Sequence, residues 1–332
     1  MGKAKTTPRV SVTIVAHNSA PYIGPCLESL RTAVGQGIAE VLVVDNASPD
    51  RSAAIAKSAM PEADILRSSY NRGFAGGCNL AWPSVRADLW LLLNPDAVVP
   101  PGMLTTLLDW FDTHTALGAA SPALVDANGR RAYAARRFPG IGRTLAEMTR
   151  AHLLLPLRVR EEYYLGTYRR SVGDHLDVDW VPGTALLVRR TAVETVGLLS
   201  ERFFMYGEDI EWCWRMRRAG FRIGVCGASE FVHAGSTSAA ATWSEQERVN
   251  RIWRGAYQAV TLMRGPLYAR TLAVITALAC LAENWHPHRT AQHRQRAAAD
   301  LAAHRTLLEG WPDEVATLRD VPQSQPPRRS RR

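Results

Sequence analysis

Residues 91–100 read LLLNPDAVVP: an apolar run fit for a buried strand breaks at Asn94-Pro95-Asp96 and resumes at Val98-Val99. A carboxylate at the end of a buried strand is costly unless something pairs with it. Similar polar clusters close three earlier apolar runs: His17-Asn18-Ser19, Asp45-Asn46-Ala47-Ser48, and the stretch from Asn71-Arg72-Gly73 through GFAGG to Cys78-Asn79. Turn and cap chemistry explains any one of these, but four in succession suggest a shared site. GFAGG is not a G-x-G-x-x-G fingerprint, and no Walker pattern is present. Phosphates held at these ends would therefore need a counter-charge other than a glycine loop, and a divalent cation on Asp96 is the natural one. Farther on, Glu208-Asp209 follows Met205-Tyr206-Gly207. Acids suit a helix N-terminus, and helix neighbours project about 100° apart, so the two cannot do the same job. A helix start should also hold Asp209 ionised and weaken it as a base.

The elements that must position these residues alternate at first. VSVTIVA (Val10–Ala16) reads as a buried parallel strand. Further strands are expected at 40–45, 63–68 and 89–94, with helices at 21–33, from the Ser48-Pro49-Asp50 start, and after Pro100-Pro101. Strand–helix repetition implies a parallel α/β sheet with helices on both faces, whose ligands sit beyond the carboxyl ends of the strands. After about 121 the pattern changes. Strands are expected near 130–138 and 175–190, separated by an Arg- and Tyr-bearing loop at 158–170. A helix from 208 to 219 should stop at Gly220, and a strand follows at 221–226. From 244 to about 308 the chain reads as helical, and the tail PQSQPPRRSRR reads as disordered and basic.

The 332 residues carry a formal net charge of +9, almost all from arginine, with lysine only at Lys3, Lys5 and Lys57. Genomic base composition explains this as readily as attraction to phosphates or a membrane surface. No zinc-finger, basic-zipper or RNA-recognition signature supports nucleic acid as a partner. Five scattered cysteines, none in a C-x-x-C pair, suggest neither disulfides nor zinc. With no signal peptide before the first strand, a reducing cytoplasmic location is expected. The apolar stretch at 267–285 is too short to span a bilayer. It reads either as a buried helix or as an interfacial one flanked by Arg264, Arg270, Tyr268 and Trp285.

Taken in order, SVTIVAHNS, VLVVDNASPD, NRGFAGGCN, LLLNPDA, WVPGTALLVRR, FFMYGEDIEWCWRMRRAGFRIG and FVHAGSTS resemble family 2 glycosyltransferases of the GT-A fold. The resemblance is strongest to bacterial rhamnosyltransferases of cell-wall and polysaccharide assembly and spans about residues 9–240. It implies a GT-A domain over 1–240, with a nucleotide-sugar half at 9–120 and an acceptor half at 121–240. A helical extension at 241–310 and a tail at 311–332 would follow. It makes Asp45 a partner of base or ribose and lays Arg72 and Gly73 against the diphosphate, with Asn18, Asn46, Asn79 and Asn94 also on the nucleotide sugar. Asn94-Pro95-Asp96 stands where the family carries Asp-x-Asp, so Asp96 becomes the main carboxylate ligand of Mg²⁺ or Mn²⁺, with His233 a further ligand. One carboxylate and one imidazole suit Mn²⁺ slightly better. The resemblance also makes Asp209 the general base, with Glu208 at the acceptor; Trp212 and Trp214 read as packing residues, the floor of the acceptor site being the alternative for Trp212.

On that reading dTDP-L-rhamnose donates one sugar, with inversion, to a polyprenyl-diphosphate-linked acceptor at the cytoplasmic membrane face. A UDP-sugar transferase and a non-catalytic nucleotide-sugar-binding protein are the rivals. The resemblance leaves room for a homo-oligomer.

Overall fold

A computed structural model describes residues 7–132, 134–149, 151–157, 159–160, 173–233, 235, 242–284 and 291–311. Most of the 158–170 loop, the end of the FVHAGSTS motif, Trp285 and the tail beyond 311 lie outside the described residues.

The first half alternates as its sequence pattern requires: β1 (Val10–Ala16), α1 (Ala20–Gly35), β2 (Ala39–Asn46), α2 (Ser52–Ala59), β3 (Asp64–Ser68), α3 (Gly73–Ala81) and β4 (Leu89–Leu93). β3, β2, β1 and β4 lie side by side in parallel. Every residue of β4 is buried, the mark of a strand covered on both faces. Trp90 on β4 stays there because its indole N–H donates to Thr13 Oγ1 at 2.8 Å. The GFAGG run serves packing: a Cβ on Gly77 would fall 2.6 Å from the Val15 side chain, so only glycine lets α3 lie this close to β1.

β5 (Ala97–Val98), α4 (Met103–Thr113), β6 (Leu117–Val125), β7 (Arg131–Ala132), α5 (Ile141–Met148), β8 (His175–Val178), β9 (Ala185–Arg189), α6 (Arg190–Val196), α7 (Glu208–Arg218) and β10 (Arg222–His233) follow. β9 is inserted antiparallel between β4 and β6, and β10 runs parallel to β6, completing one ten-stranded, mostly parallel sheet. Three helices close the described chain: α8 (Glu245–Arg264), α9 (Pro266–Asn284) and α10 (Ala291–Glu309). Ser244 and Glu247 form a reciprocal capping box at the start of α8. No helix among the described residues is long and apolar enough to cross a membrane.

Three expectations are corrected. α2 starts at Ser52, not behind Ser48-Pro49-Asp50. The strand expected at 130–138 shrinks to Arg131–Ala132 plus a bridge between Arg136 and Trp180. The strand expected to stop at 226 continues, through an irregularity between Cys226 and Glu230, to His233.

Candidate active site

The break at Asn94-Pro95-Asp96 is a reversal. Asn94 N–H donates to Thr184 O at 2.9 Å and Ala97 N–H to Asn94 O at 3.1 Å, so the chain leaves β4 and returns as β5. β5 pairs antiparallel with the end of β10, His233 opposite Ala97. That register brings His233 Nε2 to 3.3 Å from Asp96 Oδ1. Asp96 is only 6% exposed. Nε2 of His233 is buried and makes no aligned hydrogen bond with any described residue. A buried imidazole nitrogen left unbonded beside a carboxylate suits a divalent cation that accepts mixed nitrogen and oxygen ligands, Mn²⁺ more readily than Mg²⁺. No cluster of three His, Cys, Asp or Glu side chains occurs among the described residues. Further ligands would therefore be phosphate oxygens and water, as is usual at Mg²⁺ sites.

The second centre is the start of α7. Tyr206 and Gly207 both take positive φ, 71° and 96°. For the tyrosine this costs about 1–2 kcal/mol. The turn is clamped from outside. A Cβ on Gly207 would meet Gly255 O at 2.4 Å, and one on Gly255 of α8 would meet Tyr206 O at 2.1 Å. Backbone therefore packs on backbone, and the C-terminal helices fix the turn that aims Glu208 and Asp209.

Asp209 Oδ2 accepts from Gly183 N–H at 3.1 Å and Oδ1 from Ile210 N–H at 2.8 Å. Burial pushes its carboxyl above the usual range, against the pull of these donors and of Arg136. This reverses the expectation of a depressed acid at a helix start, because desolvation outweighs the helix N-terminus. Glu208 is 4% exposed, and its Oε2 has no hydrogen-bond partner. Burial first, and the Asp209 charge second, push it well above the ordinary carboxyl range. Both carboxyls are raised, Glu208 the more strongly, and the N–H donors fall on Asp209, which makes Asp209 the better carrier of the pair's negative charge.

A stability prediction follows from that assignment. The unfolded chain releases the Glu208 proton above about pH 4.3, while the fold holds it to higher pH. This contribution to stability is complete below that pH and is lost as pH rises. Glu208→Gln keeps the shape and removes the titration. Its melting temperature should gain on the parent's progressively as pH rises above about 4.3, the unfolded value, whereas a constant offset would show that the Glu208 carboxyl is not raised in the fold.

Both acids face one cleft of about 530 Å³ beyond the ends of β1, β2 and β4. Of the residues singled out from sequence, Asn46, Gly73, Asn94, Asp96, Glu208, Asp209 and His233 line it. Asn46 also ties β2 to α3, donating to Asn71 Oδ1 and Gly73 O and accepting from Arg72 N–H. Asn18 stands at the rim, its amide 3.4 Å from the hydroxyl of the cleft-lining Thr242. Asp45 accepts from Ser48 N–H and closes its own turn.

Arg72 and Asn79 depart from expectation, and Trp212 takes the packing role its sequence favoured over the acceptor one. Arg72 turns toward β3, donating to Ser68 Oγ at 3.2 Å with its guanidinium 4.7 Å from the Tyr70 ring centre. Asn79 gives its amide to Leu199 O and Glu201. Trp212 does not floor an acceptor site: it is fully buried, donates to Gly197 O and meets Trp90 edge-on at 6.0 Å.

Sequence reasoning missed Phe204, Trp243 and Arg251. The Arg251 guanidinium lies 4.3 Å from the Trp243 ring centre, and Trp243 meets Phe204 edge-on at 6.5 Å. Arg251 is the arginine that lines the cleft among the described residues. It comes from α8, in a segment whose sequence signals only a helix.

Comparison with known proteins bears on this geometry. The profile of Glycosyl transferase family 2 matches residues 11–197. The N-acetylglucosaminyl-diphospho-decaprenol L-rhamnosyltransferase of Mycobacterium tuberculosis is 28% identical over 239 residues, covering 67% of this chain and 75% of that protein. The rhamnosyltransferase WbbL of Escherichia coli is 25% identical over 232 residues, covering 68% and 83%. Among solved structures, the mannosyltransferase PcManGT from Pyrobaculum calidifontis, in complex with GDP-Man and Mn²⁺, superposes with a TM-score of 0.54 at 17% identity, covering 94% of this chain and 86% of that one. That likeness concerns the fold, which is the expected GT-A architecture.

Proposed function

The chain belongs to Glycosyl transferase family 2, and on that premise we propose that it moves L-rhamnose from dTDP-L-rhamnose to a polyprenyl-diphosphate-linked N-acetylglucosamine, with inversion. It would do so in cell-wall or polysaccharide assembly at the inner face of the plasma membrane. The observation that carries the reading is the meeting of the Asp96–His233 pair and Asp209 in one cleft. The choice of sugar and acceptor is supported by what the names of the M. tuberculosis and E. coli relatives specify.

The residues divide the work. Asp209, the better carrier of its pair's negative charge, takes the proton of the acceptor hydroxyl as that oxygen attacks the anomeric carbon. The new C–O bond forms as the bond to the diphosphate breaks, so one displacement inverts the centre and no enzyme nucleophile is needed. Glu208, the more strongly raised of the two, serves as a hydrogen-bond donor rather than a base. Arg251, stacked on Trp243, takes the part expected of Arg72 and faces the charge that develops on the departing diphosphate. A divalent cation held by Asp96 and His233 would supply the remaining counter-charge. Asn46, Gly73 and Asn94, which line the cleft, would contact the nucleotide sugar, with Asn18 beside them and Asp45 at the base or ribose.

The test is product formation from dTDP-L-rhamnose, UDP-galactofuranose, UDP-glucose and GDP-mannose with lipid-linked N-acetylglucosamine, beside thermal shifts with dTDP, UDP and GDP. Rhamnosyl product and a dTDP preference are expected. A clear UDP or GDP preference removes rhamnose from the reading, and no transfer from any donor removes catalysis.

A further inference from the structure

Of the large apolar side chains left exposed among the described residues, all but Tyr70, Phe204 and Ile252 fall in two segments, residues 145–159 and helix α9. The first contains the run LLLPL, in which Leu154 is 87% exposed, with Leu153 and Leu157 also open. On α9 the exposed positions are Leu267 (80%), Val274, Leu278 (51%) and Leu281. Their spacing of seven, four and three places them along one helical face. The residues behind that face, Ala269, Leu272 and Ala273, are buried in the cluster that α9 shares with Tyr257 of α8 and Leu307 of α10. Among the described residues, the outward face is left open apart from Leu281, which borders α10.

The two segments are neighbours. Tyr268 OH on α9 accepts from Ile141 N–H at 3.1 Å and from Arg264 at 2.5 Å, which pins the start of α5 to the start of α9. An apolar groove of about 460 Å³ between α9 and α10, reached by Leu281, Leu301 and Leu308, extends the surface. Soluble monomers seldom leave contiguous apolar surface of this kind without a use.

Charge identifies the occupant. Of the described residues beside these leucines, Arg264 and Arg270 are exposed and Arg143 is half-buried, against the exposed Glu147; the sequence of α9 adds one acid, Glu283, at its far end. Leucines at the surface with arginines around them are the composition of an interfacial membrane face. A second copy of the same face would set arginine against arginine, which opposes self-association.

We propose that the described residues of 145–160 and the outer face of α9 form one lipid-docking surface, with Arg264 and Arg270 on anionic phospholipid headgroups and the leucines at the acyl boundary. Its place in the molecule gives it a purpose under the reading above, on which it rests only for that purpose: a lipid-borne acceptor is presented at such a boundary. The same helices connect to the chemistry, since α9 packs on α8, and α8 carries Gly255 and Arg251.

The test is co-sedimentation of the full chain with vesicles of phosphatidylglycerol and phosphatidylcholine, and with phosphatidylcholine alone. Binding is expected to the anionic vesicles only and to weaken with salt. The double variants Leu154→Glu/Leu157→Glu and Leu278→Glu/Leu281→Glu should each bind those vesicles about tenfold or more weakly, with melting temperature and dTDP affinity unchanged. Vesicle binding that both variants retain overturns the proposal. So does a parent that ignores vesicles but loses a dimer in light scattering when these leucines are changed. If the parent binds vesicles but shows no nucleotide-sugar chemistry, the functional reading fails and the docking surface stands.

Discussion

Asp209→Asn is expected to lower turnover by roughly 10²–10⁴-fold, the usual worth of a general base, while dTDP affinity and melting temperature stay near the parent's. The amide is isosteric, and its oxygen can still accept from Gly183 N–H while the Ile210 N–H bond is given up, a local loss that the Gly207–Gly255 clamp lets the turn at the start of α7 survive. What it loses is the capacity to take a proton. The side chain is suited to that task because two opposed effects meet on it. Burial raises the carboxyl, which makes it a stronger base than an exposed acid at a helix start, and the N–H donors keep it ionised. The acid limb of the kcat/KM profile should accordingly fall above the ordinary aspartate value of about 3.9. Glu208→Gln is the matched control. Burial raises the Glu208 carboxyl the more strongly of the two, so a neutral amide in its place should cost far less than Asp209→Asn at neutral pH. If the two variants lose activity equally, the protons are not divided as argued. If Asp209→Asn turns over normally, the base lies elsewhere.

That division of protons was not legible in the sequence, and the reason is instructive. Helix position alone depresses an acid, and only three-dimensional burial reverses the sign. What the sequence did carry was the framework. β1 runs over the residues its β-branched pattern marks, and the polar clusters closing β1, β2 and β4 gather at one cleft because parallel strands end on the same side. The same local reading misplaced α2. Ser48-Pro49-Asp50 has the chemistry of a cap, but the Asp50 carboxylate accepts from Ala20 N–H and from the backbone and hydroxyl of Ser52. Partial burial would raise that carboxyl, yet these bonds and the Ser48 hydroxyl hold it at about 2. Asp50 thus joins two helix starts, and a partner 30 residues away leaves no local signature.

Side-chain direction was the other loss. Arg72, Asn79 and Trp212 sit in family-like motifs, but which way each points is decided by Tyr70, Glu201 and Trp90, none of which its own motif contains. Arg251 shows the converse. Its place in the cleft depends on the Gly207–Gly255 contact, which no periodicity announces. His233 depended on β10 running on past Cys226, where Gly227-Ala228-Ser229 interrupts the strand pattern and the register shifts.

Asp96→Ala is expected to cost at least about 10²-fold in turnover, because the proposed cation neutralises charge that develops on the leaving group. Activity alone would not separate a lost ligand from a damaged turn, so the informative readout is binding. Titration calorimetry with dTDP should show Mn²⁺-dependent affinity in the parent, lost on chelation and restored by adding Mn²⁺. In Asp96→Ala the affinity should equal that of the chelated parent and stay there when Mn²⁺ is added. His233→Ala should weaken the same response. The double variant should lose little more than Asp96→Ala, since two residues that act through one ion are not additive. The pairing of His233 with Ala97 on β5 explains why two residues 137 positions apart would behave as a unit. A cleft that binds dTDP equally well with and without Mn²⁺, in parent and variant alike, would remove the cation from the site. The 3.3 Å approach of His233 to Asp96 would then serve only to hold the turn before β5 against β10, and Arg251 would be left as the cation facing the diphosphate.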